Sequence, residues 1–144
     1  MEKTMTKNAL VWGLILLAVF ARLIPHPANF TPIMAIALFA GALLPARLAL
    51  VVPLAAIALS DLVLGHAFGA MTLVVLAALA LGALLGRCLA RNRTWTRTFG
   101  AALAGSIVFF VLTNFAVWAL PGAHAMYPLT IAGLVECYVM AIPF

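Results

Sequence analysis

Acidic residues are scarce in this sequence, and charge of either sign is uncommon. Three of the 144 residues are Asp or Glu and eight are Lys or Arg, so charged residues make up 8% of the chain. A soluble domain averages about 25% charged residues. The shortage excludes a disordered chain, a nucleic-acid-binding arm and an ordinary cytosolic enzyme. The formal net charge is +5. We expect the basic residues that cause it to lie in loops beside a membrane, and we expect no nucleic-acid partner.

Cysteines and catalytic motifs are also few. The two cysteines, Cys88 beside a basic loop and Cys137 within an apolar run, do not predict a disulfide. The sequence contains no zinc-ligand spacing, no Walker motif, no G-x-G-x-x-G motif opening a βαβ unit, and no Ser/His or H-E-x-x-H signature. We therefore expect neither enzyme activity nor a metal site, and the sequence indicates no particular cofactor.

Apolar residues make up most of the chain. The sequence is 67% hydrophobic, and its mean hydropathy is +1.25. One helical crossing of a bilayer uses about 20 residues, so the length allows one domain of five or six crossings at most. Prolines and short loops separate six apolar segments. We predict a single all-α domain, 1–144, that forms a bundle of six transmembrane helices at about residues 9–23, 31–44, 48–64, 71–89, 99–120 and 129–144.

The segment boundaries carry further predictions. Thr31 is expected to cap the second helix with Pro32 in its first position, residues 45–47 to form a tight turn, and Pro53 to kink the third helix. The first segment also resembles a signal peptide. Because Arg22 and a second apolar segment follow it directly, a retained first helix is favoured.

Basic residues are distributed unevenly between the two ends of the predicted bundle. Seven fall on the side of the N-terminus, and Arg22 alone falls on the other side. Cytoplasmic loops carry the excess of Lys and Arg, so both termini are predicted to be cytoplasmic. The predicted location is the bacterial inner membrane, with the lipid bilayer as a partner. The seven residues are Lys3, Lys7, Arg47, Arg87, Arg91, Arg93 and Arg97.

Polar residues that are unusual within a membrane fall near the opposite, outer end. A charge inside a bilayer is costly and normally faces the bundle interior or a wet cavity. These groups are therefore predicted to line one pocket that opens to the outside. Its carboxylates would recognise donors or a cation, its amides would donate and accept, and its aromatic rings would supply apolar walls. The predicted ligand-binding residues are Asn29, Asp61, Asn114, Trp118, Tyr127 and Glu136.

Three of these residues also allow a structural interpretation in place of ligand binding. Asp61 can pair with Arg22 near the outer surface, and Asn114 can hydrogen-bond between helices. Glu136 can be a carboxyl that is hydrogen-bonded to a neighbouring helix. Histidines of the outer loops are interpreted as solvated side chains, because none stand at i, i+4 spacing. They are His26, His66 and His124.

Small residues recur at four-residue spacing in three segments. Gly82-x-x-x-Gly86 lies in the fourth segment, and similar pairs lie in the second and fifth. Such spacing lets helix backbones approach closely. It predicts helix–helix contact, either within the chain or with another protein. The other two pairs are Ala37-x-x-x-Gly41 and Ala101-x-x-x-Gly105.

Six short motifs carry a resemblance to a known family. They are Asn29-Phe30-Thr31-Pro32, Ala37-Leu38-Phe39-Ala40-Gly41, Leu59-Ser60-Asp61-Leu62, Thr113-Asn114-Phe115, Tyr127-Pro128 and Cys137-Tyr138. With them, residues 22–144 resemble an uncharacterised family of small bacterial multi-pass membrane proteins, which implies no activity.

A second and more distant resemblance rests on the architecture and the form of the hairpin rather than on a diagnostic motif. The proline-bearing loop, the small-residue hairpin and Ser60-Asp61 near an outer end are similar to substrate-binding S-components of energy-coupling-factor transporters. That resemblance implies six helices, both termini inside, an outer ligand pocket and an energising transport subunit as partner. The first helix lacks the Ala-x-x-x-Ala spacing with which S-components dock that subunit.

Two functions follow from these observations. The first is a membrane-embedded protein for small-molecule binding and uptake, with its pocket open to the outer face. The alternative is an accessory structural subunit of a larger membrane complex, respiratory or photosynthetic. An intramembrane enzyme would need two carboxylates close together and is the least favoured. The sequence does not identify the ligand.

Overall fold

A computed structural model describes residues 2–24, 32–120 and 126–143, and their side chains from Asn8 onward. Within these ranges the chain forms six α-helices and no β-strand, which confirms the predicted all-α architecture. The helices are α1 (Glu2–Leu23), α2 (Ile33–Leu43), α3 (Ala46–Leu64), α4 (Ala70–Leu89), α5 (Trp95–Ala119) and α6 (Ile131–Ala141).

Threonine caps set the beginnings of α5 and α6. α5 begins at Trp95, about a turn before the predicted start, because Thr94 Oγ1 accepts a hydrogen bond from the amide of Arg97 at 3.4 Å. α6 begins at Ile131 rather than at residue 129, since Thr130 Oγ1 accepts from the amide of Gly133 at 3.1 Å, and it ends at Ala141 rather than at residue 144. The capping hydroxyls therefore set the first residues of α5 and α6, which hydropathy alone does not locate.

Prolines mark the beginnings of α2 and α3. Pro45 precedes α3, which begins at Ala46, so the predicted turn over residues 45–47 is confined to residues 44 and 45. Pro32 is the residue before α2 rather than its first helical residue. The predicted Thr31 cap lies outside the described residues. Pro53 lies within α3 as expected, and its side chain is buried.

α2 lies at the centre of the bundle. It contacts α1, α3, α4 and α5, and seven of its eleven residues are buried. A helix that is apolar all round belongs in the interior. Among the described residues, α6 contacts α5 alone, and α3 contacts neither α5 nor α6. α2 and α4 thus stand between the α1–α3 side of the bundle and the α5–α6 side.

Small residues let α2 and α4 approach closely. A Cβ atom on Gly41 would overlap the carbonyl group of Ala83, and one on Gly86 would overlap the carbonyl group of Leu38. Gly105 of α5 is buried beside α2. These contacts confirm that the small residues serve helix packing, and they show that the partner helices lie within the chain.

Three helices are long and apolar enough to cross a membrane: α3, α4 and α5, of 19, 20 and 25 residues. The other helices offer shorter apolar stretches, which are Asn8–Leu23 within α1 and the 11 residues each of α2 and α6. At about 1.5 Å per residue, such a helix rises roughly 17 Å, whereas the hydrocarbon core is about 30 Å thick. These three helices therefore indicate a membrane protein.

Two contacts mark the opposite ends of the bundle. Arg93, in the loop between α4 and α5, donates from Nη2 to the carbonyl oxygen of Ala42 at 2.8 Å and so satisfies an orphan carbonyl at the end of α2. Arg22 contacts Asp61 where α1 and α3 end. We call these the arginine end and the Asp61 end.

Candidate binding site at the Asp61 end

A left-handed glycine folds the chain back over the last turn of α3. Gly65 has φ +69°, a conformation that side chains other than glycine rarely adopt. In this turn the amides of Gly65 and His66 both donate to the carbonyl oxygen of Asp61. The turn therefore brings His66 back towards Asp61, and the Nδ1 atom of His66 lies 3.6 Å from Asp61 Oδ1.

Asp61 also forms an ion pair with Arg22. Arg22 Nη2 donates to Asp61 Oδ1 at 2.5 Å, and the two side chains are 19% and 17% exposed. Arg22 Nε is buried and makes no hydrogen bond with any described residue. The pair interpretation of Asp61 is thus confirmed. The guanidinium and carboxylate neutralise each other where full solvation is lost, and they join α1 to α3.

An apolar pocket of about 230 Å³ lies beside this ion pair, between α3 and the beginning of α4. Asp61 and His66 supply its polar groups, and six apolar residues form the rest of its lining. His66 is 61% exposed, so the pocket opens at the surface. The apolar residues are Leu54, Ile57, Ala58, Leu62, Phe68 and Leu76.

A second group of polar residues lies between α5 and α6. Cys137 donates from Sγ to the backbone carbonyl of Asn114 at 3.4 Å, and Tyr138 donates from Oη to the carbonyl of Val111 at 2.7 Å. Trp118 Nε1 donates to the carbonyl of Pro128 at 3.0 Å. Side chains of α6 and of Trp118 thus hold α6 and its preceding turn against α5.

Asn114 and Glu136 do not join the two helices in the way that their structural interpretation expected. The side-chain amide of Asn114 donates to Phe110 of its own helix at 2.8 Å. Glu136 is exposed on α6 and makes no hydrogen bond or ion pair within the described ranges. Cys137 and Tyr138 make the interhelical bonds instead, because they face α5 whereas Glu136 faces outward.

The predicted ligand-binding residues are thus divided between two places. Only Asp61 lines the pocket. Asn114, Trp118 and Glu136 lie on α5 and α6, and half-buried Tyr127 lies in the turn before α6. The structure does not bring these residues into one cavity with Asp61, because α2 and α4 separate the two sides. Asn29 lies outside the described residues.

Sequence reasoning missed most of the pocket lining. Phe68 and Leu76 are apolar residues in an apolar chain, so nothing in their identity marks them. The signal that was present is the short Gly65–Gly69 connection, which makes α3 and α4 an antiparallel hairpin and brings these ends together.

Metal-binding groups do not converge in the part of the chain that the structure describes. No set of three His, Cys, Asp or Glu side chains lies together there. His26 and His124 lie outside it. The expectation that no metal is bound therefore stays a prediction.

Fold and site together define an all-α protein with helices suited to a membrane and a small apolar pocket beside an ion pair. The chain belongs to a family of unknown function, DUF6580, whose profile matches residues 2–144. This agrees with the resemblance to an uncharacterised family. No curated protein and no solved structure matches the chain.

Proposed function

We propose that this protein is a multi-pass membrane protein that binds a small, largely apolar molecule in the α3–α4 pocket as the binding part of an uptake system. One observation carries the proposal: a carboxylate held in place by Arg22 lines a pocket whose other walls are almost wholly apolar. Ligand sites typically combine apolar walls with a few fixed polar groups. The proposal is one of binding, without a chemical step.

The polar groups narrow the ligand chemistry. Arg22 occupies Asp61 Oδ1, while Oδ2 makes no hydrogen bond with a described residue. An acceptor beside an apolar wall suits a ligand with a compact apolar body and one donor group, such as an amine or a hydroxyl. His66 stands at the exposed rim, where it can donate to or accept from the same group. A pocket of about 230 Å³ suits a molecule smaller than a typical drug.

The proposed topology has six crossings, with both termini and the arginine end in the cytoplasm of a bacterial inner membrane. Its support is the excess of basic residues at one end, which predicts the cytoplasmic side. The pocket then faces outward. α2 is short for a crossing, but it is surrounded by four helices, and backbone that is covered by protein is tolerated at membrane depth.

Uptake requires energy from elsewhere. The sequence has no nucleotide-binding motif, so transport would depend on an energising subunit or an ion gradient. The S-component resemblance supports the first of these, with this chain as the substrate-binding subunit.

Native mass spectrometry of the protein, extracted in mild detergent from the membranes that hold it, tests the proposal. We expect a small, defined mass on a single 15.2 kDa chain. Ala58→Phe fills the pocket from an exposed lining position of α3 and leaves Arg22 and Asp61 unchanged in sequence, and it should lose that mass. Ala102→Phe, at an exposed position of α5 remote from the pocket, is the matched control and should keep it. Equal retention by both variants would contradict the pocket as the site.

The alternative function, an accessory subunit of a larger respiratory or photosynthetic complex, has one observation in its favour. Glu136 is an exposed carboxylate on an apolar helix, flanked by the exposed Val135 and Val139. Such a group in a membrane normally meets a polar partner. Recovery of the chain only in a fixed-stoichiometry assembly, which Glu136→Gln weakens, would favour this function over uptake.

A further inference from the structure

The arginine end gathers cationic side chains from three helices. Arg47 lies at the beginning of α3, Arg87 at the end of α4, Arg91 in the next loop and Arg97 in the first turn of α5. All four are exposed. Arg93 has a structural role at this end, since its hydrogen bond to the carbonyl oxygen of Ala42 holds the α4–α5 loop against α2.

No carboxylate that the structure describes neutralises this end. Asp61 is bound to Arg22 at the opposite end, and Glu136 lies on α6 beside the other half of α5. Among the described residues, none of the exposed arginines forms an ion pair. The first turn of α5 adds the positive end of a 25-residue helix dipole. Several positive groups that no described carboxylate compensates therefore face outward together.

An exposed aromatic ring and an apolar stripe adjoin these charges. Trp95, the first residue of α5, is 92% exposed. From the same end, Phe99, Leu103 and Ile107 follow at four-residue spacing and are also exposed. Tryptophan at a helix end suits the boundary between headgroups and acyl chains. The stripe offers an acyl chain a path along the helix below the guanidinium groups.

We propose that the arginine end binds the phosphate headgroup of an anionic phospholipid, with one acyl chain along the Phe99–Ile107 stripe of α5. Guanidinium groups match phosphate oxygens in geometry and charge. The stripe selects a lipid rather than a soluble anion, since free phosphate gains nothing from it. This proposal is independent of the α3–α4 pocket.

Tryptophan quenching by brominated lipids tests the proposal. Trp12→Phe/Trp118→Phe leaves Trp95 as the reporter, and Trp95→Phe/Trp118→Phe leaves Trp12, an exposed ring on α1, as the matched control. Each protein is placed in vesicles of phosphatidylcholine with equal fractions of brominated phosphatidylglycerol or brominated phosphatidylcholine. Attraction to an anionic surface amounts to about fivefold per cationic residue. We expect at least about fivefold enrichment of phosphatidylglycerol at Trp95 and none at Trp12.

The arginines are tested in the same vesicles. Arg91→Gln/Arg97→Gln should abolish the preference at Trp95, and Arg91→Lys/Arg97→Lys should retain part of it, because lysine keeps the charge without the forked donors. Equal quenching of Trp95 by both lipids would overturn the proposal. Loss of the preference on adding inorganic phosphate at constant ionic strength would also overturn it, since the site would then take a soluble anion. Retention of the full preference by the Gln variant would show that the arginines are not the site.

Discussion

Asp61 is the residue whose surroundings the fold controls most closely. Its carboxylate receives Arg22 from α1, its backbone carbonyl receives two amides from the Gly65 turn, and the residue lines the pocket. Removal of one partner from a largely buried pair leaves an uncompensated charge, whereas replacement of both by apolar groups is often neutral. The pair thus contributes specificity of position more than net stability.

Asp61→Asn is expected to lower the free energy of unfolding in detergent by roughly 1.5–3 kcal/mol, since the charge on the acceptor is lost and the part-buried guanidinium loses its counter-ion. Arg22→Leu/Asp61→Leu should lie closer to the wild type than either single variant. Glu136→Gln changes the other described carboxylate, which is exposed, and should alter stability by less than about 0.5 kcal/mol. Equal effects of Asp61→Asn and Glu136→Gln in SDS-induced unfolding would contradict the structural importance of the pair.

Small residues allow α2 and α4 to pack closely against each other. Gly41 and Gly86 each meet backbone of the other helix, which cannot move aside, whereas Gly82 meets the flexible side chain of Met34. Close approach of this kind replaces hydrophobic driving force as the basis of helix association in lipid. The order of sensitivity to an added methyl group should therefore follow the rigidity of what each glycine meets.

Gly86→Ala is expected to destabilise the protein by about 2–3 kcal/mol, because the added carbon overlaps the Leu38 carbonyl. Gly82→Ala should lower stability by about 1 kcal/mol, since the Met34 thioether can shift. Gly100, on α5, has open space around it, and Gly100→Ala should stabilise by about 0.5 kcal/mol through helix propensity. Unfolding in detergent measures the series, and a Gly86 effect no larger than that of Gly82 would argue against backbone contact between α2 and α4.

Hydropathy and the positions of prolines predicted where the helices lie better than they predicted which helices pack together. Long apolar runs between prolines gave all six helices, and the spacing Gly82-x-x-x-Gly86 predicted a close helix contact. Which helices pair was not predictable, because every segment is apolar on all sides and offers no distinct face. The same uniformity hid the pocket lining. The ion pair of Asp61 with Arg22 was predictable, since a lone carboxylate in an apolar run needs a partner.

At the scale of the whole molecule, charge and polarity separate along the bundle axis. The arginine end carries exposed guanidinium groups, and the Asp61 end carries a neutralised pair beside the pocket. The excess of basic residues predicts that the arginine end is cytoplasmic and that the Asp61 end faces outside. The proposed uptake function depends on this orientation, because the pocket must face the ligand source.

Single cysteines at the two ends test the orientation. In a Cys88→Ser/Cys137→Ser background, Asn92→Cys lies in the loop at the arginine end and His66→Cys lies beside the pocket. Both positions are exposed, so accessibility within the fold is matched. In intact bacterial cells, a membrane-impermeant maleimide should label His66→Cys and leave Asn92→Cys unlabelled, and inside-out vesicles should reverse the result. Labelling of Asn92→Cys from outside would place the arginine end outside the cell, and it would remove the basis for an outward-facing pocket.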